Sequence, residues 1–341
     1  MKLLEFTDKG IYCAKADVYI DPWKPVKNAI ITHGHADHSR FGNTNYLCHE
    51  LSKPIIAHRL GDISIETLAY GEKRVINGVE FSLQPAGHII GSAQVRVAYK
   101  GEVWVASGDY KLENDGISTP FEPIKCDVFI TECTFGLPAF NWRPQQEVFS
   151  DINDWWVKNQ SEGKTSLLSG YSLGKAQRII ANVNPEIGKI YTHGAIENMN
   201  EVIREMGIEL PKSERITPET SAEDLKNSLV IAPPGAIGSN WTKRLNPFEI
   251  GICSGWMGIR GARKRQTVDR GFILSDHADW NGLNDAISAT DASKVICTHG
   301  YTSIFSKWLQ EKGIDATAET TEFEGELSEI SEQKNKGEAA E

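Results

Sequence analysis

Between Ile31 and Ser39 the chain reads ITHGHADHS, which places His33, His35, Asp37 and His38 within six residues, directly after the apolar run Ala29-Ile30-Ile31. Residues i and i+2 fall on different faces of a helix, so His33 and His35 converge only from an extended chain or from the turn that follows a strand. The cluster therefore requires a strand that ends at a polar edge. Other short apolar runs end in the same manner: VYID at Asp21, FSLQPAGH at His88, EVWVASGD at Asp109, VFITE at Glu132, GFILSDH at His277 and KVICTHG at His299. Polar groups gathered on loops at one edge of a rigid sheet are the usual setting of binding and catalytic residues. Of nine histidines, only His49, His58 and His193 fall outside this set. His193 shares the spelling Thr-His-Gly with His33 and His299 but belongs to a separate strand-helix segment.

Imidazoles and carboxylates without thiolates suit a hydrolytic zinc, manganese or iron site better than a structural zinc. The candidates are too many for one ion, whereas two ions sharing a bridging carboxylate would use them and leave open positions. The chemistry this favours is attack of metal-activated hydroxide on an ester, an amide or a phosphodiester. The six cysteines form no CxxC pair, so neither a disulfide framework nor a thiolate zinc site is encoded. No apolar run reaches bilayer length and the N-terminus lacks the h-region of a signal peptide, so a cytoplasmic protein is expected.

A net charge of -10 argues weakly against a polyanionic substrate, but its distribution matters more. The stretch from Glu319 onward is rich in Glu, Ser and Lys and reads as an acidic, disordered tail. Lys243 to Arg270 instead carries Lys243, Arg244, Arg260, Arg263, Lys264, Arg265 and Arg270 against only Glu249 and Asp269.

The motifs HGHADH, PAGHIIGSA and SGDY resemble the metallo-β-lactamase superfamily, and TECTFG, SDHADW and the late THG resemble its β-CASP branch of nucleic-acid nucleases. The longer runs GIYCAKADVYIDPWKPV, ITECTFGLP and YSLGKAQR are similar to bacterial ligase-associated DNA exonucleases, which are encoded beside an ATP-dependent DNA ligase and a DEXH-box helicase. The resemblance implies two divalent metal ions, zinc foremost with manganese or iron as alternatives. One would be held by His33, His35 and His88 and the other by Asp37, His38 and His299, with Asp109 bridging. It makes Asp21 a structural brace of the ligand loop, counts Asp37 also among the catalytic groups, and sets Glu132 and His277 beside the scissile phosphate. An imidazole there could act as general acid for the leaving oxygen.

The implied fold is α/β: a metallo-β-lactamase αββα sandwich with an inserted small parallel α/β domain. Residues 1–137 and 271–318 would form the sandwich, 138–270 the β-CASP insert, and 319–341 the tail. Within the insert, helices and strands alternate from QQEVFSDINDWWVKN to EIGICSG, as a parallel sheet requires. SGYSLGKAQR is not a phosphate loop, because three residues separate Gly170 from Gly174 and Ala176 stands where a magnesium-binding hydroxyl should be. It reads instead as a helix N-terminus offering N–H groups to a backbone phosphate, with Lys175 and Arg178 nearby. Arg260, Arg263 and Arg265 would supply a second contact, with Trp256 available to stack a base.

Four functions compete. The expectation is a DNA exonuclease in repair or end processing. The same motifs would serve an RNA-processing nuclease. A small-molecule hydrolase needs neither the insert nor Glu132 and His277, and a non-catalytic binding module needs no intact ligand set.

Overall fold

A computed structural model describes residues 2–259 and 268–323. The chain divides into two compact units, Met1–Phe140 with Asp276–Gly325, and Asn141–Ser275.

In the first unit, β1 (Glu5–Phe6), β2 (Ile11–Cys13), β3 (Val18–Ile20), β4 (Asn28–Ile30), β5 (Asn45–His49) and β6 (Ile65–Leu68) form one sheet in that order. A second sheet contains β7 (Lys73–Ile76), β8 (Val79–Pro85), β9 (Ala93–Tyr99), β10 (Glu102–Ala106) and β11 (Val128–Cys133), continued by the late strands β18 (Lys294–Gly300) and β19 (Asp315–Ala318). Its order is β19-β18-β11-β10-β9-β8-β7. Side chains alternate across each strand. Ile11, Ile20 and Ile30 of the first sheet share one core with Phe81, Val95, Ala106 and Ile130 of the second. On the opposite face of the first sheet, Ala29, Ile31, Tyr46 and Cys48 pack with Ile56 of α1 (Ser52–Leu60). On that of the second, Val105, Phe129 and Val295 pack with Leu283 and Ile287 of one late helix, Trp280–Thr290, and Phe305 and Leu309 of another, Thr302–Glu311. Strands covered on both faces read as unbroken apolar runs such as VFIT and KVIC, each large side chain contributing about 1.5–3 kcal/mol on burial.

Strand direction sets the position of the site. β3 and β4 are parallel, as are β10, β11 and β18, while β8 is antiparallel to β9 and β9 to β10. β8 therefore runs with β10, and the C-terminal ends of β8, β10, β11 and β18 lie along one sheet edge. His88, Asp109, Glu132 and His299 are placed there, while Asp21 and the loop of His33 to His38 follow the parallel ends of β3 and β4.

The second unit is a parallel sheet of β12 (Thr165–Ser169), β13 (Ile190–Thr192), β14 (Glu214–Arg215), β15 (Leu229–Ala232), β16 (Phe248–Cys253) and β17 (Arg270–Phe272), ordered β14-β13-β15-β12-β16-β17. Parallel neighbours need crossover connections. α3 (Lys175–Asn182), α4 (Gly194–Glu205) and the single turn α5 (Ala222–Leu225) lie in such connections, α2 (Gln145–Ser161) leads into β12, and the late helices of the first unit are α6 (Trp280–Thr290) and α7 (Thr302–Glu311). Val148, Phe149, Ile152, Trp155 and Trp156 make one apolar stripe on α2 and pack with Leu168, Ile179 and Ile231.

Three details differ from the sequence reading. α1 is a helix that the sequence reading did not single out, because Pro54 masks a helix whose first turn tolerates it. Gly271 does not begin the return to the first unit: it lies in β17, which pairs with β16, and the first unit resumes at Asp276. Glu319 to Phe323 is ordered against the first unit, with Glu319 N–H donating to Cys297 at 3.0 Å. Among the described residues, no helix is long and apolar enough to cross a membrane.

The phosphate contact expected of Arg178 and Lys175 is corrected by their burial, at 2% and 1% exposure. The Arg178 guanidinium donates to Gln145 Oε1 at 2.9 and 3.1 Å and to the Ser275 carbonyl at 2.5 Å, tying α3 to the start of α2 and the exit from the sheet. Lys175 lies with Nζ 4.7 Å from the centre of the Tyr171 ring. The N–H of Gly174 is already bound by Gln177 Oε1 at 2.8 Å. Arg178→Met should lower unfolding stability by about 1–3 kcal/mol, since it strands buried acceptors. Urea denaturation measures this, and a change near zero would return Arg178 to the surface role.

Candidate metal centre

One ring nitrogen from each of His33, His35 and His88 and an Asp109 carboxylate oxygen all lie within 4.8 Å of one another. His35 Nδ1 stands 3.2 Å from His33 Nε2 and 3.0 Å from His88 Nε2. Asp109 Oδ2 is 3.7 Å from His33 Nε2, 3.8 Å from His88 Nε2 and 3.4 Å from His38 Nε2. Donor atoms about 2.0–2.1 Å from a tetrahedral ion are separated by about 3.3 Å, so these spacings suit ligands sharing an ion better than hydrogen bonds.

The outer contacts fix which ring nitrogen is offered. Asp21 accepts from Thr32 N–H at 2.7 Å and from Thr32 Oγ1 at 2.5 Å, so the hydroxyl's lone pair is left to accept from His33 Nδ1 at 2.9 Å. Asp21 also holds His38 Nδ1 at 2.7 Å. His88 Nδ1 donates to the Asp276 carbonyl at 2.7 Å and His299 Nδ1 to that of Phe323 at 3.2 Å. Four imidazoles are thus held by Nδ1–H with the Nε2 lone pair free, the arrangement that orients histidine ligands around a metal. His38 Nε2 is buried and makes no hydrogen bond, although Asp109 and Asp37 oxygens lie 3.4 and 3.8 Å away. A cation at that point would satisfy all three groups.

The electrostatics agree. Burial pushes His33 and His88 well below the usual imidazole range, and neighbouring imidazoles push the same way, so both offer lone pairs at neutral pH. Burial opposes charge on His38, but Asp109, Asp37 and Asp21 outweigh it and draw positive charge to this ring. Burial likewise opposes ionisation of Asp109, yet His38 and His277 hold its carboxyl well below the usual range.

His299 sits at a β-bulge. Glu132 pairs with Thr298 and Cys133 with Gly300, leaving His299 as the extra residue with φ of 56°. A bulge re-aims a side chain at a strand end. His299 lines one cavity with Asp21, His38, Asp109 and Glu132, but is not in the tight four-ligand group.

Asp109, Glu132 and His277 also converge within 4.8 Å. Here His277 Nδ1 meets both Glu132 oxygens at 2.9 and 3.0 Å, a hydrogen-bonded pair. Glu132 also accepts from Tyr110 N–H at 2.8 Å and Thr134 Oγ1 at 2.5 Å, which pins the carboxylate. Tyr110, Thr134 and the Asp276 carbonyl were not singled out in the sequence, although each lies within two residues of a marked motif group or beside it.

His193 lies in the second unit as the N-cap of α4, where Nδ1 accepts from Ala195 N–H at 3.1 Å. His49 stacks on Tyr70 with ring centres 3.5 Å apart. Arg260, Arg263 and Arg265 lie outside the described residues.

No family model matches the chain. It is similar to a probable DNA ligase of Opitutus terrae, 28% identical over 91% of this chain and 30% of that protein. It also resembles the endoribonuclease ysh1 of Aspergillus fumigatus, 30% identical over 37% of this chain and 15% of that protein. The cleavage and polyadenylation specificity factor 73 of Drosophila melanogaster is 26% identical over 53% of this chain and 30% of that protein. The chain thus spans less than a third of the length of these curated relatives. Among solved structures, a protein of unknown function from Enterococcus faecalis V583 shares the fold, with a TM-score of 0.57 at 12% identity, covering 79% of this chain and 74% of that one. The mixed α/β fold, the His and Asp cluster at its strand ends and these relatives together make the chain similar to the β-CASP nuclease branch of the metallo-β-lactamase superfamily.

Proposed function

We propose that this chain is a metal-dependent DNA nuclease, exonucleolytic in mode, whose first unit is the αββα sandwich and whose second unit is the β-CASP insert. Support for the sandwich comes from the shared core of the two sheets and the helices packed on their outer faces. The observation that carries the function is the Glu132–His277 pair beside a ligand cluster, since a small-molecule hydrolase would have no use for it.

His33, His35, His88 and Asp109 would hold one ion, and Asp37, His38, His299 and the shared Asp109 the other, with zinc fitting the donor set and manganese or iron as alternatives. Bound there, such ions supply a nucleophile from water at neutral pH and neutralise charge on the phosphoryl oxygens. Asp21 braces the ligand loop. Glu132 is a positioning residue: it fixes His277 with Nδ1–H toward the carboxylate and stabilises the imidazolium. Nε2 of His277 is then the atom that delivers a proton to the departing sugar oxygen. A relative named DNA ligase that matches nearly the whole chain supports DNA as substrate, and partnership with an ATP-dependent ligase and a DEXH-box helicase. Relatives named endoribonucleases favour RNA as the second reading.

End-labelled single- and double-stranded DNA and RNA, each with zinc, manganese or iron, decide between them. DNA should be shortened stepwise from one end, activity should vanish with chelation, and metal should restore it. Faster cleavage of RNA would favour the second reading, and no cleavage of either by the metal-loaded protein would reject both.

Arg260, Arg263 and Arg265 are proposed to neutralise backbone phosphates. Their joint replacement by Ala should weaken DNA binding and reduce the slope of log K against log salt by about 0.7–0.9 for each phosphate no longer neutralised. Hydrolysis of a nitrophenyl phosphodiester should hardly change. Fluorescence anisotropy across a salt series measures this, and an unchanged slope would mark the run as a solvated face.

A further inference from the structure

We infer that the segment Thr320–Phe323 is a working part of the second metal site, with Phe323 as a positioning residue for His299 and His38; the inference rests on the two-ion reading above. The polar composition after Glu319 gives no hint of this apart from the lone aromatic Phe323.

β19 ends at Ala318, and the chain continues past one further ladder bond to the strand-end edge, where four contacts hold it. Arg40 Nη2 donates to the Glu322 carbonyl at 2.7 Å. The Phe323 ring lies parallel to His38, 8° from coplanar with centres 4.3 Å apart, and meets Trp23 edge-on at 5.7 Å. The Phe323 carbonyl accepts from His299 Nδ1 at 3.2 Å.

Two of these contacts bear on metal binding. A carbonyl can only accept, so it makes Nδ1 the protonated nitrogen of His299 and leaves the lone pair on Nε2. His33, His38 and His88 receive the same service from Thr32, Asp21 and Asp276. His299 draws it from a carbonyl 24 residues further along the chain, beyond the last strand of the sheet. It also stands on a bulge with φ of 56°, where the ladder does not dictate its direction. Stacking covers the face of His38 without touching the in-plane lone pair of Nε2, so it excludes water while leaving the donor available.

Loss of an outer partner of a histidine ligand typically weakens metal binding about 10- to 100-fold. Metal content and stepwise affinity, read by competition with a chromogenic chelator and by the visible absorption of cobalt(II), test the inference in three chains alongside the full one. A chain ending at Ser328 should bind two ions as the full chain does. One ending at Glu319 should bind the first ion normally and the second about 10- to 100-fold more weakly. In the full chain, Phe323→Ala should weaken the second ion and Phe323→Tyr should not. Two ions bound equally tightly by the chain ending at Glu319 would overturn the inference alone. Should that chain fail to fold, an unchanged second-ion affinity in Phe323→Ala overturns it instead. A full chain that binds no ion would overturn the two-ion reading, and this one with it.

Discussion

Asp109→Ala should leave a folded protein with little bound metal and no measurable phosphodiester hydrolysis. One oxygen, Oδ2, stands 3.7 and 3.8 Å from the Nε2 atoms of His33 and His88 and 3.4 Å from that of His38, so it faces the donors of both candidate ions. Loss of His88 removes a donor from one ion only. His88→Ala should therefore retain the second ion, and metal analysis of the two variants should differ by about one ion per chain. The loss of activity in Asp109→Ala should exceed the roughly 10- to 100-fold effect of removing an outer partner. Its fold should survive, because Asp21 and Asp37 still face the His38 imidazole when the Asp109 carboxylate is lost. Two ions per chain and near-normal hydrolysis in Asp109→Ala would show that the carboxylate does not bridge.

The approach of Asp109 to the ligand loop depends on its neighbour. Gly108 has φ of 58°, and a Cβ there would lie 2.8 Å from the Thr32 side chain. Since Thr32 links Asp21 to His33, a side chain at position 108 would displace the loop that carries four of the proposed ligands.

The His and Asp cluster was legible in the sequence because its members follow apolar runs that can only be strands, and sheet direction carries their ends to one edge. Spacing alone conveyed that His33 and His35 converge. It could not convey which nitrogen each ring offers, because that depends on Thr32, Asp21, the Asp276 carbonyl and the Phe323 carbonyl, and a backbone carbonyl leaves no mark in residue type. The same limit explains Arg178. Its position near a glycine-rich helix start reads as anion binding, whereas its guanidinium is occupied by Gln145 33 residues earlier and by Ser275 97 residues later. Pairings at such separations are invisible to local pattern. Phe323 is the converse case, an aromatic residue in a polar run whose composition argued for disorder, held by Trp23, His38 and Arg40's grip on the preceding carbonyl.

His277→Ala should reduce DNA cleavage by about 100- to 10,000-fold, the usual contribution of a positioned general acid, while leaving metal content unchanged. The reason lies in the leaving group. Cleavage of DNA expels a sugar alkoxide, which needs a proton as the bond breaks, whereas a nitrophenyl phosphodiester expels a stabilised phenolate that does not. The variant should therefore hydrolyse the nitrophenyl substrate at close to the parent rate, and loss of a metal ligand should damage both reactions. Glu132→Gln offers a graded comparison. It keeps an acceptor oxygen for His277 Nδ1 and for the Tyr110 N–H, but removes the charge that would stabilise the imidazolium. Its DNA cleavage should fall less than that of His277→Ala and its pH-rate profile should shift toward acid, because an imidazolium without its carboxylate loses its proton at lower pH. Equal losses on both substrates in His277→Ala, with both ions retained, would show that the ring positions the phosphate and does not deliver the proton.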